Sequence, residues 1–233
     1  MKNLTKKLFA TVVAIMFSTA ALAGSFGVGV SGSLLNIQGA GEEKVAGVVD
    51  TNAENKANAS NDAYVGSVFA EYTFDGYGGF TFGVSHLPGS ADVNASTRQR
   101  KDIQTSVEGT ATSVATAITR KAQASVENHM TYYAELPIHA GLYVKAGLVT
   151  MDVNTEESVA ASKYGNTDVD GDLWGIGYKN DTSGNWYYKV EATHTEFDTI
   201  TLKSTGNATN STANTIVADL DVTQATFALG YHF

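Results

Sequence analysis

TQATFALGYHF, Thr223 to Phe233, alternates without a break. Thr223, Ala225, Phe227, Leu229, Tyr231 and Phe233 fall on one side; Gln224, Thr226, Ala228, Gly230 and His232 fall on the other. A period of two is the mark of a β-strand with unlike faces. About 9–11 residues is the length a tilted strand needs to cross a bilayer. The greasy face is continuous and the opposite face is small or polar, so the stretch reads as a membrane-crossing strand.

The same pattern recurs upstream. Apolar positions alternate at Phe26, Val28 and Val30; at Val68, Ala70, Tyr72 and Phe74; and at Phe80, Phe82 and Val84. They do so again at Met130, Tyr132, Ala134 and Leu136, then at Leu142, Val144, Ala146 and Leu148. Trp174, Ile176 and Tyr178, then Trp186, Tyr188, Val190 and Ala192, complete the series before the last strand. Eight segments result, an even number. Short connections rich in turn residues (75–78, 137–140, 180–185) take turns with long ones (39–62, 88–125, 154–171, 200–214). A soluble sandwich seldom carries so many long loops. An up-and-down transmembrane barrel has short turns on one side and long loops on the other.

Hydrocarbon offers no partner to backbone N–H and C=O groups, so a sheet in lipid has to close on itself. Its strands then show alternate side chains to lipid and to lumen. Phe26, Phe74, Phe80, Tyr178, Trp186, Tyr188 and Phe233 gather near the turn or terminal ends of the outward faces, where an aromatic girdle belongs. One parity change is visible. Ile216, Ala218, Leu220 and Val222 precede Thr223 on the opposite phase, as expected of a strand that has risen above the bilayer rather than of a bulge at Asp221.

Residues 1–23 begin with Lys2, Lys6 and Lys7, continue with an apolar run from Leu8 to Leu22, and end Ala21-Leu22-Ala23. That is a secretory signal peptide cleaved after Ala23, leaving 24–233 as one barrel domain. The whole chain has 24 acidic and 15 basic residues, a net charge of -9, and cleavage takes it to -12. A chain this acidic is a poor nucleic-acid binder. It contains no cysteine, which excludes disulfides, a thiol nucleophile and thiolate metal sites.

A signal peptide, eight such segments and a final Ala228-Leu229-Gly230-Tyr231-His232-Phe233 resemble the small outer-membrane β-barrels of Gram-negative bacteria: the OmpA transmembrane domain, OmpX, OmpW and the porin-family barrel domain. The resemblance implies an all-β, eight-stranded antiparallel barrel in the cell outer membrane, with both termini in the periplasm. It further implies that Phe233, with Phe227, Leu229 and Tyr231 on the same face, is the signal read by the barrel assembly machinery. Outer-membrane lipid and lipopolysaccharide are the surroundings it implies.

The predicted inward faces hold Glu71, Glu135 and Glu191 against Lys145, Lys179 and Lys189. An eight-stranded interior is just wide enough for side chains to fill, so these six are expected to pair and plug a polar lumen. The rival is a gated pore lined by charge. Arg98, Arg100, Lys101, Arg120 and Lys121 cluster in the second long loop, where they either grip phosphates or an extracellular partner, or merely balance nearby acids. The Ala-spaced stretch 111–121 of that loop suggests a short helix. Asn166, Asp168, Asp170 and Gly171 match the first half of a calcium loop, but position twelve is Gly177 where a bidentate Glu is needed; no metal is assigned. Ser85 with His86, and the rim histidines His129 and His194, lack a nucleophile context, so no catalytic residue and no cofactor is assigned. The expected role is structural, with loops presented to surface partners. A small-solute porin is the alternative, and a lipid-modifying enzyme ranks below it.

Overall fold

Eight long strands climb and descend in turn in the computed structural model, which describes residues 24–45, 48–49, 56–75, 78–93, 98–108, 112–157, 164–182, 184–205 and 215–233. They are β1 (Gly24–Val45), β3 (Lys56–Phe74), β4 (Phe80–Asp92), β6 (Thr112–His139), β7 (Leu142–Glu157), β8 (Thr167–Asp181), β9 (Trp186–Phe197) and β11 (Thr215–His232). Three shorter strands add to their upper ends: β2 (Val48–Val49), β5 (Arg98–Glu108) and β10 (Ile200–Lys203). Every pairing is antiparallel between chain neighbours, and β11 returns to pair with β1 from Gly27↔His232 to Lys44↔Thr215. That last ladder closes the barrel. The predicted signal segment 1–23 lies outside the described residues.

The sequence pattern dictates which faces meet lipid. Trp186, Phe227 and Trp174 are exposed on the outer wall. Near the short turns, rings crowd together on that wall. Phe80 lies 4.7 Å from Phe82, Trp186 lies 5.2 Å from Tyr231, and Tyr231 lies 5.2 Å from Phe233, centroid to centroid. This is the expected lower girdle. Tyr64, almost fully exposed, and Trp174 beside His194 stand toward the other edge of the apolar band.

Above the band the alternation inverts. On β1 the outward positions run Phe26, Val28, Val30, Gly32, Leu34 and then Asn36, Gln38; the inward ones run Ser25, Gly27, Gly29, Ser31, Ser33 and then Leu35, Ile37. β11 does the same without any shift in register, so no bulge exists at Asp221 and Leu220 faces the interior. Leu35, Ile37, Val149, Met151, Val153, Val169, Leu173, Phe197, Ile200, Leu202 and Leu220 form one buried cluster there. The barrel is thus greasy outside and polar inside where lipid surrounds it. Where water surrounds it, it is polar outside and greasy inside.

This inversion corrects two sequence expectations. Among their described residues the long connections are largely strand, because inward residues such as Leu202 and Val169 bury apolar surface and extend the ladders beyond the membrane. The stretch expected as a helix at 111–121 runs as β6 from Thr112, pairing with β5 from Glu108↔Thr112 to Arg98↔Ala122. Its β-branched Thr112, Val114, Thr116, Ile118 and Thr119 suit that conformation. The turn placed at 137–140 is shorter than expected: β6 continues to His139, and Ala140 (φ 51°) and Gly141 (φ 85°) make the bend.

The wall parts between β3 and β4. β1 and β3 pair from Gly24↔Phe74 to Glu42↔Lys56, but β3 and β4 pair only from Phe74↔Phe80 to Val68↔His86. Above His86 comes Pro88, which has no N–H to give, and then Gly89 at φ 96°. A register shift between Leu87 and Ser90 carries β4 toward β6 and away from β3. Higher up, the Asn61 side-chain amide donates to the Asp92 carbonyl at 3.0 Å and spans the parting.

Candidate functional site

Strand alternation alone sends Glu71 of β3, Glu135 of β6, Lys145 of β7, Lys179 of β8, and Lys189 and Glu191 of β9 into the lumen. The closed wall brings all six together. Lys189 Nζ donates to Glu71 Oε2 at 2.8 Å and to Glu135 Oε1 at 2.7 Å, and lies 3.5 Å from Glu191 Oε1. Lys179 Nζ donates to Glu71 Oε1 at 2.9 Å; Lys145 Nζ donates to Glu191 Oε2 at 2.8 Å and lies 3.8 Å from Glu135 Oε1. Three carboxylates and three ammonium groups therefore close one neutral network. Glu71 is wholly buried and Lys189 nearly so. Charges so far from water persist only when paired, and here each has at least one partner of opposite sign.

Two tyrosines complete it. Tyr133 donates its hydroxyl to Glu71 Oε2 at 3.1 Å, and Tyr143 donates to Glu191 Oε1 at 2.5 Å. Rings also flank the ammonium groups: Lys145 Nζ is 3.9 Å from the Tyr133 centroid, Lys179 Nζ 4.3 Å from that of Tyr187, and Lys189 Nζ 4.9 Å from that of Phe69. Cations held over ring faces gain further electrostatic support.

Each of these inward rings lies over a glycine of the neighbouring strand. The register pairs are Gly29↔Phe69, Gly83↔Tyr133, Gly177↔Tyr143 and Gly230↔Tyr187. A Cβ added at Gly83, Gly177 or Gly230 would stand 2.2 Å from the facing ring, and one at Gly29 would stand 2.3 Å away. The small inward residues are thus seats for the large ones, and the two together fill the narrow bore.

Cavities are stacked along the axis on either side of this plug. Toward the short turns is a vestibule of about 360 Å³, bordered by Asp75, Lys179, Asp181 and His232. Directly above the network is a polar space of about 50 Å³ among Ser31, Ser67, Thr193, Gln224 and Thr226. Above that, inside the apolar cluster, a chamber of about 70 Å³ is lined by Leu35, Ile37, Val65, Leu87, Phe197 and Leu220, with His129 in its wall. The lumen is polar only in its lower part, which corrects the expectation of a polar filling throughout.

The other sequence candidates are distributed as follows. Phe227, Leu229, Tyr231 and Phe233 lie along the last strand and its end, with Phe227, Leu229 and Phe233 exposed, and Phe233 N–H donates to the Phe26 carbonyl at 2.8 Å. The backbones of Arg98, Arg100, Lys101, Arg120 and Lys121 belong to β5 and β6, while their side chains lie outside the described residues. Asn166, Asp168 and Asp170 do not wrap into a calcium loop: Asp168 and Asp170 are strung along β8, and Asn166 Oδ1 accepts from Thr155 N–H. Ser85 faces the lumen and bonds Ser67 at 3.2 Å, whereas His86 takes the opposite face, so the two do not form a nucleophile–base couple. His194 is at the rim, 3.1 Å from Thr223 Oγ1. His129 instead faces the upper chamber. The sequence reading missed that chamber and the ring-on-glycine seats.

The profile of the outer membrane protein β-barrel domain matches residues 9–233, and this chain belongs to that family. It resides in the cell outer membrane. Among solved structures it is similar to OprG of Pseudomonas aeruginosa (9% identity, 91% of this chain and 97% of the other, TM-score 0.47). It is also similar to Neisserial surface protein A (8%, 89% and 97%, TM-score 0.40). The outer membrane protease OmpT of Escherichia coli is a third such structure (11%, 92% and 100%, TM-score 0.45). Nothing among curated proteins matches.

Proposed function

We propose that this protein is a closed barrel, impermeable to ions along its axis, whose work is to stabilise the envelope and hold a rigid β-collar above the outer membrane for surface interactions. The observation that carries this reading is Lys189 Nζ, bonded to both Glu71 and Glu135 across the bore. An ion crossing here would have to break buried pairs and leave charges uncompensated, a cost of about 3–5 kcal/mol for each pair broken. The collar's apolar interior gives it the rigidity a presenting surface needs. Phe233 and its face-mates serve, in the same reading, as the assembly signal. The test is conductance of the purified protein in planar bilayers. No unitary ion steps are expected; reproducible ion-sized steps from the wild-type protein would overturn the closed reading.

A second reading concerns small apolar solutes. Its support is the chamber lined by Val65 and Leu87, next to the place where the β3–β4 ladder ends. A molecule entering there would leave sideways through the wall, since the charged plug lies beneath. Cross-linking Val65→Cys to Leu87→Cys would abolish binding of an apolar fluorescent probe if the route exists. Unchanged probe binding in the cross-linked form would sink it.

A further inference from the structure

Between the charged plug and the apolar chamber lies a shelf of hydroxyl groups, and only some of them satisfy one another. Ser31 Oγ and Ser67 Oγ are 2.6 Å apart, Ser85 donates to Ser67 at 3.2 Å, and Ser33 Oγ lies 2.9 Å from Thr226 Oγ1. Gln224 Nε2 donates to Ser33 and to Thr226, at 2.8 Å each. Thr131 of β6 and Thr193 of β9 are different. Both line the polar space, both are more than nine-tenths buried (7% and 6% exposed), and neither hydroxyl has a partner among the described residues. Thr195, buried at the floor of the chamber, is in the same position. A buried hydroxyl without a partner is costly, so such groups mark a place where something else can bond.

The polar space and the chamber share Ser67, Ser85, Thr131, Leu173 and Gln224, and so form one continuous site. Its upper part is walled by Leu35, Ile37, Phe197 and Leu220. We propose that this site takes a neutral amphiphile, an alkyl chain ending in a hydroxyl or carbonyl group, with its tail in the chamber and its head on the Thr131–Thr193 shelf. A purely apolar molecule would fill the chamber but leave the threonine hydroxyls unpaired. An ionised head is disfavoured by its surroundings. Lys189 and Lys145 border the polar space, yet each is already bonded to carboxylates in a network of three acids and three bases. A carboxylate head would add a fourth negative charge and an ammonium head a fourth positive one, with no free countercharge among the lining residues. His129, the one titratable side chain lining the chamber, has its pKa pushed down to about 4 by burial and is uncharged near pH 7. A neutral head is cheaper to strip of water and regains that cost in bonds to Thr131, Thr193 and the Gln224 carbonyl oxygen.

The inference rests on the reading in which apolar solutes enter where the β3–β4 ladder ends, and its test separates the two. Full-length protein in lipid nanodiscs is loaded with an apolar fluorescent probe and challenged with octanol, octane or octanoate at about pH 8, well above the carboxylate range. Free concentrations are corrected for uptake by protein-free nanodiscs. Octanol is expected to displace the probe at a concentration about tenfold lower than octane or octanoate, as two added hydrogen bonds imply. Thr131→Val with Thr193→Val keeps nearly the same volume, removes both hydroxyls and should bring octanol to within about threefold of octane. Thr150→Val, on the outer wall opposite Met130, should leave the order unchanged. Octanoate as effective as octanol, or a preference for octanol that survives the double change, would overturn the inference while the reading beneath it stands. Failure of the probe to bind the wild type would overturn both. Heat-modifiable mobility shows that each barrel is intact; should the double variant not fold, the order of the three competitors on the wild type decides alone.

Discussion

Leu34 and Leu35 are neighbours in the chain, yet Leu34 is 43% exposed on the outer wall and Leu35 only 8% exposed inside it. They mark the level at which the surrounding solvent changes from lipid to water and the barrel turns inside out. Below Leu34 a charge on the outside meets hydrocarbon; at Leu34 itself it can reach the interface; at Leu35 it enters a dry core. Val30→Arg should therefore cost about 2–4 kcal/mol and Leu34→Arg about 0–1 kcal/mol. Leu35→Arg should cost at least as much as Val30→Arg, since nothing nearby in the apolar cluster pairs with it. Urea unfolding of protein refolded into bilayers gives the order, and a Leu34→Arg cost equal to that of Leu35→Arg would refute the boundary.

Lys189 shares its ammonium among Glu71, Glu135 and Glu191. Lys145 has its short bond to Glu191 and only a 3.8 Å contact with Glu135. Removing Lys189 leaves buried acids facing one another. Lys189→Met should thus destabilise by about 3–5 kcal/mol, and Lys145→Met by less. Adding Glu135→Gln to Lys189→Met should restore part of the loss, because one uncompensated charge goes with it. A double variant no more stable than Lys189→Met in the same unfolding assay would argue against the shared pairing.

How far the alphabet revealed this arrangement depends on what each residue's periodicity can express. The lipid-facing side of β9, from Trp186 to Ala192, is plain because hydrocarbon tolerates almost nothing else there. All six charged lumen residues were legible for the same reason: strand parity leaves them no outward position. The collar was hidden. Met151, Val153, Val169 and Phe197 alternate as well as the membrane segments do, but on the opposite phase; Val169 falls inside a stretch that reads as a long connection, and the other three lie just past the apolar alternation of their strands. Without a known height above the membrane, parity does not say which face is wet. The pairing of Gly83 with Tyr133 was equally unreadable, because it needs the register between two strands, which neither strand contains.

Gly83 gives a direct test of the ring seats. A Cβ there would stand 2.2 Å from the Tyr133 ring, whereas one at Gly32, on the outer wall, meets nothing within 4 Å. Gly83→Val should lower stability by about 1–3 kcal/mol, the usual range for overfilling a packed interior, and disturb the Tyr133 bond to Glu71. Gly32→Val should be neutral or stabilising, as a branched side chain suits a lipid-facing strand. Equal effects at the two sites would mean that the seats carry no packing.

Asp172, Glu196 and Asp221 occupy directly opposed positions on β8, β9 and β11, all on the outer wall. Like charges facing one another across a ladder are destabilising, by about 0.2–1 kcal/mol for a pair. Among the described residues Glu196 has His194 beside it, with Nε2 3.7 Å from Oε1. Glu196 stands in the middle, so neutralising it relieves both contacts at once. Glu196→Gln should raise stability by a few tenths to about 1 kcal/mol at low ionic strength, in a neutral detergent or zwitterionic bilayer. Because the repulsion is between exposed charges, salt should screen it: the wild type should gain more stability than the variant between about 0.01 and 0.1 M salt, where the screening length falls from about 30 to 10 Å. A Glu196→Gln protein that is less stable than wild type, or that responds to salt to the same degree, would show that this row is compensated by neighbours and exerts no strain on the collar's base.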